Sequence, residues 1–360
     1  MPECDTPVLF KQHTAVGLQE QLAHLGVDLR LARRVQAAVL QRRGTVPEQM
    51  PEVSPRRLAA IRASTVIPRL TLVEKQTSTI DGFTKYLFTG DGGEPFESVG
   101  IPLVHRPGQE KFIVCVSSQV GCAMGCAFCA TAKLGFRRNL AAWEIVDQVV
   151  QVQEHSPHPV RGVVFMGMGE PLHNYDAVMR AAEIMSEPCG LGINARAITI
   201  STVGIVPQIR RYTAERRPYR LIVSLTSADP EVRRRLLPVE KAYPLAELMA
   251  AVREYQQATG ERVTLAMTAL GGINTRTEDA RLLAELTAGM PVRINLIDVN
   301  DPSGVFQRAT LEELDVFRAA LNEERGIPVV RRYSGGQDVH GGCGMLAGLR
   351  ADSPNDTSNT

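Results

Sequence analysis

The chain has 360 residues, with 40 Lys or Arg against 39 Asp or Glu, a formal net charge of +1 and 44 % apolar residues. These proportions belong to a globular protein and exclude collagen-like, disordered and membrane-spanning chains, since no apolar run approaches the ~20 residues a span requires. Near-neutrality lowers the expectation of a strongly basic surface of the kind that binds nucleic acid without selectivity.

The opening MPECDTPVLFKQHTAV has no basic stretch leading into an apolar one, so the expected location is the cytoplasm. Residues 1–70 read as a helical segment with ten Lys/Arg against six Asp/Glu. Within it, Leu31, Val35, Ala38 and Val39 recur at helical spacing in a helix over 27–40 that Gly44 and Pro47 stop. Ser54-Pro55 opens a second helix, Pro55 to Arg62, as a cap followed by a first-turn proline. Residues 71–111 read as a β-rich extension. LTLVEKQT, TKYLFTG and FESVGIPLV are its strands, and Asp91-Gly92-Gly93 is a hairpin turn.

From residue 112 the pattern changes to alternating strands and helices. The strands are FIVCVS, VRGVVFMGM, AITIST, RLIVSL, RVTLAMTAL, VRINLIDV and PVVRRY. Helices are expected over 142–154, 175–187, 208–217, 244–259, 277–286 and 311–325. About six such units imply parallel strands with helices outside, an α/β fold of the partial (β/α)6 barrel type over 112–349. The tail 350–360 is polar and expected to be disordered.

The seven cysteines are odd in number in a long chain without an export signal, which favours metal or catalytic use over a disulfide scaffold. Cys122, Cys126 and Cys129 stand as Cys-x-x-x-Cys-x-x-Cys just after a strand. Three thiolates this close suit a soft metal centre. A structural zinc would want a fourth ligand from a second Cys/His pair, and none is present. A cubane iron–sulfur cluster normally takes four cysteines, so three leave one iron open.

That spacing resembles the signature of radical S-adenosylmethionine enzymes, in which the open iron of a 4Fe–4S cluster chelates the cofactor. Further motifs narrow the resemblance to the RlmN/Cfr family of RNA adenine methyltransferases. They are Cys115-Val-Ser-Ser-Gln-Val-Gly-Cys122, Gly135-Phe136, Arg138-Asn139-Leu140, Gly167-Met168-Gly169-Glu170-Pro171-Leu172, Ser201-Thr202, Ser224-Leu225, Asn300 and Cys343-Gly344. The similarity runs from about Leu70 to Leu349.

The resemblance implies a relay. Carbons 2 and 8 of adenine are not nucleophiles, so ordinary methyl transfer from a sulfonium fails there. One S-adenosylmethionine methylates a cysteine, and a second yields a deoxyadenosyl radical that takes hydrogen from the S-methyl group. The methylene radical joins the adenine carbon, and a second cysteine attacks the linking sulfur to release the methylated base. On this resemblance Cys343 is the methyl-carrying cysteine, Cys115 the resolving cysteine and Glu97 the proton acceptor. Gly169 and Glu170 meet the cofactor's amino group, and Ser201, Ser224, Leu225, Thr226 and Asn300 complete the cofactor contacts. All of these lie at strand ends, the expected face of such a barrel. The resemblance also implies an RNA substrate (ribosomal or transfer RNA) docked by the N-terminal segment, and a one-electron reductant such as flavodoxin or ferredoxin. The protein is expected to act as a monomer, away from membranes.

The chain departs from the family's pattern in places, which marks it as a divergent paralogue. Thr226 stands where a histidine is usual, and Gln337-Asp338-Val339-His340-Gly341-Gly342 replaces a loop with paired acidic residues. Two other readings remain open at this point. One is a radical S-adenosylmethionine enzyme acting on a protein or small molecule; the other is an RNA-binding protein with a structural metal.

Overall fold

The computed structural model describes residues 7–104, 107–301 and 304–348. Cys4 and the expected disordered tail at 350–360 lie outside them.

The N-terminal segment contains α1 (Ala15–Gln21), α2 (Leu29–Ala38) and α3 (Pro55–Ser64). Asp28 caps α2 by accepting from the Leu31 N–H at 2.7 Å. The helix therefore starts two residues later than its apolar spacing predicts and ends in a widened turn, Val39–Arg43, that closes at Gly44. Ser54 caps α3 as expected, with Pro55 in its first turn.

Among the described residues, one ten-stranded sheet dominates. Its strands are β1 (Thr71–Thr77), β2 (Thr84–Thr89), β3 (Pro95–Leu103), β4 (Lys111–Cys115), β5 (Val160–Phe165), β6 (Ile198–Thr202), β7 (Arg220–Ser224), β8 (Val263–Ala269), β9 (Val292–Asp298) and β10 (Val329–Arg332). They lie in sequence order across the sheet. β1 to β4 form an antiparallel meander, and β4 to β10 run parallel.

The parallel strands are joined by α4 (Ala142–His155), α5 (Tyr175–Ser186), α6 (Val206–Ala214), α7 (Pro230–Leu236), α8 (Leu245–Thr259), α9 (Thr277–Leu286) and α10 (Leu311–Arg325). Six helical crossovers follow, the one between β7 and β8 carrying both α7 and α8. The six expected β/α units are therefore present, with β10 added as a seventh parallel strand. α7 has no counterpart in the sequence expectation.

Burial is deepest in the middle of the parallel part, where both faces are covered: all five residues of β6 are buried, whereas the edge strand β10 has none buried. α4 turns Ile145, Val146, Val149 and Val152 inward, each at most 1 % exposed. Each such side chain contributes about 1.5–3 kcal/mol relative to exposure. α4 also receives the N-terminal segment. Lys11 forms a buried ion pair with Asp147, whose second oxygen accepts from the Leu70 N–H at 2.7 Å.

The sheet does not close by strand pairing among the described residues. Instead Asp81, between β1 and β2, accepts from the Tyr333 hydroxyl and the Gly336 N–H, both at 2.9 Å, just beyond β10. Those contacts draw the two sheet edges together around the strand ends.

Candidate active site

The C-terminal ends of β5 to β9 surround a cavity with about 950 Å³ of atom-free space, part of it open to solvent. Cys122, Cys126 and Cys129 line one wall, Gly169 and Glu170 follow β5, and Ser201, Ser224 and Thr226 come from the ends of β6 and β7. Asn300, beyond β9, and Cys343 complete the expected residues found there.

The cysteine loop is closed at its base. Gln119–Gly121 pairs antiparallel with Phe136–Asn139, and the Cys122 N–H donates to the Gly135 carbonyl at 3.0 Å. Its far side is tied to two other elements. The Ala127 N–H donates to Leu236 O of α7 at 2.9 Å, and the Ala130 N–H to Gly344 O at 2.7 Å. All three thiols are free. Burial pushes Cys122 up to about 12 and raises Cys126 as well, with the neighbouring cysteines adding to it. Thiols in this state bind a metal by releasing protons. Among the described residues no three His, Cys, Asp or Glu side chains are grouped closely enough for a single ion. A cubane places each thiolate on a different iron and so takes a wider set. Three soft donors on one cavity wall fit it.

The opposite wall is built for a small polar ligand. Gly169 has φ +100°, and a Cβ there would sit 2.6 Å from the Gln119 Cβ, so only glycine brings this backbone to the cavity. Thr226 has φ +61°, a strained value for a β-branched residue. Its hydroxyl is buried and has no hydrogen-bond partner in the protein, so it is available to a ligand in the cavity. Ser201 and Ser224 stand with their hydroxyls 3.4 Å apart. Glu170 is 2 % exposed and accepts from the Leu172 N–H at 3.0 Å and the Val203 N–H at 2.9 Å. Burial outweighs those donors and raises its carboxyl to about 7.

Cys343 lies where two cavities meet. It lines the large one and also a smaller one shared with Cys115, Met166 and Arg332. Its backbone is fixed by Asn300 together with two side chains that the sequence reading did not single out, Ser334 and Arg308. The Cys343 N–H donates to Ser334 Oγ at 3.0 Å, and Asn300 Nδ2 donates to Ser334 Oγ at 2.8 Å and Cys343 O at 3.3 Å. Arg308 in turn donates to Asn300 Oδ1 at 2.5 Å. Asn300, expected to contact the cofactor, thus has its Nδ2 engaged in holding Cys343 and its Oδ1 engaged by Arg308. Burial pushes the Cys115 thiol up to about 12, and Arg332 opposes that shift.

Two expected residues stand elsewhere. Leu225 is fully buried and lines neither cavity; its backbone carbonyl accepts from Arg233. Glu97 is 1 % exposed and also lines neither cavity. Its carboxylate pairs with Lys85 at 3.0 Å and accepts from the N–H groups of Ala347 and Gly348. Three donors thus face this carboxylate, two of them on one oxygen.

Arg233 of α7 is a further unpredicted site residue. It is fully buried, pairs with Glu240 at 2.8 Å and donates to Val203 O at 2.8 Å and Ser224 O at 3.2 Å. One guanidinium thereby joins the ends of β6 and β7 beneath the cavity.

Comparison with known proteins agrees with this geometry. The Radical SAM superfamily model matches residues 116–284. A Myxococcus xanthus protein named as a probable RNA methyltransferase is 47 % identical over 92 % of this chain and 91 % of its own length. The dual-specificity RNA methyltransferase RlmN of Syntrophobacter fumaroxidans is 39 % identical over 94 % and 98 %. Among solved structures, a radical SAM methyltransferase from Sphaerobacter thermophilus superposes with a TM-score of 0.85 at 36 % identity, covering 95 % of this chain and 100 % of that one. Enzymes of this superfamily use a 4Fe–4S cluster and S-adenosylmethionine, and the names of these relatives give RNA as the molecule they methylate. The chain belongs to the RlmN-type radical S-adenosylmethionine RNA methyltransferases.

Proposed function

We propose that this enzyme methylates an adenine carbon, C2 or C8, in ribosomal or transfer RNA, using two S-adenosylmethionine molecules per turnover. Cys122, Cys126 and Cys129 would hold the cluster. Together with S-adenosylmethionine, the cluster supplies a 5′-deoxyadenosyl radical when a one-electron donor such as flavodoxin or ferredoxin reduces it. The Gly169 backbone and the Ser201, Ser224 and Thr226 hydroxyls bind and orient the cofactor.

Cys343 accepts the first methyl group as a thiolate and, after its methyl group loses a hydrogen atom to the deoxyadenosyl radical, joins the adenine carbon through a methylene bridge. That carbon gives up its own hydrogen as a proton to a base, and the remaining unpaired electron would return to the oxidised cluster. Cys115 then attacks the Cys343 sulfur. The S–S bond forms as the C–S bond breaks, the electron pair passes to the carbon with a proton, and the base leaves carrying a methyl group. A thiol reductant restores both cysteines.

The observation that supports this reading most is the position of Cys343. It opens on one side to the cavity of the three cysteines and on the other to Cys115. The protein works as a monomer, with the complete site in one chain. The test is nucleoside mass spectrometry of RNA from a strain lacking the gene and from its parent. Loss of a C-methylated adenosine in the mutant is expected; identical nucleosides in both would refute the proposal.

A further inference from the structure

The loop that carries Cys343 is stitched at intervals along its length. Cys343 itself hangs on Ser334, and Gly344 O accepts from the Ala130 N–H at 2.7 Å. Leu346 O accepts from Thr131 Oγ1 at 2.6 Å. The final stitch is Glu97. One oxygen, Oε2, accepts from the consecutive N–H groups of Ala347 at 2.8 Å and Gly348 at 2.9 Å. Gly348 has φ +66°, the left-handed turn that lets neighbouring amides point at one anion. The other oxygen, Oε1, pairs with Lys85 at 3.0 Å, and both side chains are buried.

An ionised carboxylate is an acceptor only, and Glu97 has a cation and two amides on it. It lines neither cavity that Cys343 opens to. Taking a proton from a substrate carbon would require it to abandon these partners. Holding the loop requires nothing to move. The loop's place matters because Cys343 sits at the boundary of two cavities, so a small drift changes which one its sulfur reaches.

We propose that Glu97, held by Lys85, is a positioning residue that anchors the distal end of the Cys343 loop. This role depends on the reading of Cys343 as the methyl-carrying sulfur only for its consequence in turnover, not for the anchoring itself.

The test compares wild type, E97A and the double variant E97Q/K85M. The double variant keeps an acceptor oxygen for the two amides and leaves no charge unpaired. In the metal-free, reduced protein, the rate of Cys343 alkylation by iodoacetamide is read by peptide mass spectrometry, with hydrogen exchange at Ala347 and Gly348. E97A is expected to speed both by about tenfold or more, and E97Q/K85M to stay within a few-fold of wild type. In RNA turnover, E97Q/K85M is expected to methylate Cys343 and release methylated RNA.

Wild-type alkylation and exchange in E97A would overturn the proposal. So would an E97Q/K85M enzyme whose loop is protected but which stalls with RNA covalently attached to Cys343, the signature of a missing proton acceptor. If E97A does not fold, the double variant decides through exchange and release. Failure of the RNA methylation reading shows separately, as absence of methylated RNA with wild type, while the alkylation and exchange arms still report on the anchor.

Discussion

Thr226 combines a strained backbone with a buried hydroxyl that no protein group satisfies. Such a conformation costs about 1–3 kcal/mol and persists where function requires it. T226V keeps the branched shape and removes the hydroxyl, so S-adenosylmethionine affinity of the cluster-loaded enzyme should fall about tenfold. T226G should relieve the strain and raise the melting temperature without restoring that affinity. Equilibrium binding and thermal unfolding measure the two effects, and unchanged affinity in T226V would contradict the assignment.

Glu170 supplies a pH dependence with a defined sign. Burial raises its folded value to about 7, above the ordinary 4.5. The penalty for ionising it is therefore absent below the unfolded value and grows as pH rises through about 7, reaching about 3 kcal/mol. In metal-free protein the stability gap between E170Q and wild type should widen from pH 5 to pH 8. A constant gap would show that Glu170 ionises freely. Neither behaviour was legible in the sequence. Thr226 looks like a substituted histidine position there, and its backbone angle has no sequence signal.

At the scale of elements, the parallel strands were legible because each is a short β-branched run bounded by turn residues, and the helices between them repeat apolar residues at helical spacing. α7 was not. Its sequence, PEVRRRL, has three adjacent arginines, and periodicity alone does not reveal that Arg233 is fully buried while Arg234 and Arg235 are exposed. Breaking its ion pair leaves Glu240 charged and buried, so R233M should lose about 3–5 kcal/mol in denaturant unfolding. R233M/E240Q should recover part of that loss, since the amide still accepts from the Leu245 N–H that Glu240 now binds at 2.7 Å. Equal stability of R233M and wild type would contradict the role given to this pair. The Lys85–Glu97 pair was hidden for a different reason. Leu87 stands directly opposite Glu97 in the hairpin and Lys85 lies one step diagonally along it, so the contact emerges only once the register is fixed.

Across the whole molecule, a sheet in sequence order gathers residues from Cys115 to Cys343 onto one face. The three-cysteine loop is tied both to α7 and to the segment after Cys343, so the chain's middle and its distal end meet at one cavity. The fold class and most of the cavity lining could be read from motif and strand pattern together. The network that holds Cys343 could not: Asn300 was read as a cofactor contact, and its partners Ser334 and Arg308 belong to loops without periodicity and meet it only after folding. No helix among the described residues is long and apolar enough to cross a membrane.

The most direct measurement is made on C115A protein expressed with its RNA and digested with nuclease and trypsin. Mass spectrometry of the peptide containing Cys343 should find an adenosine joined through a single methylene, and C115A/C343A should yield none. An unmodified Cys343 peptide from C115A, in cells where the wild-type enzyme is active, would contradict the chemistry assigned to this site.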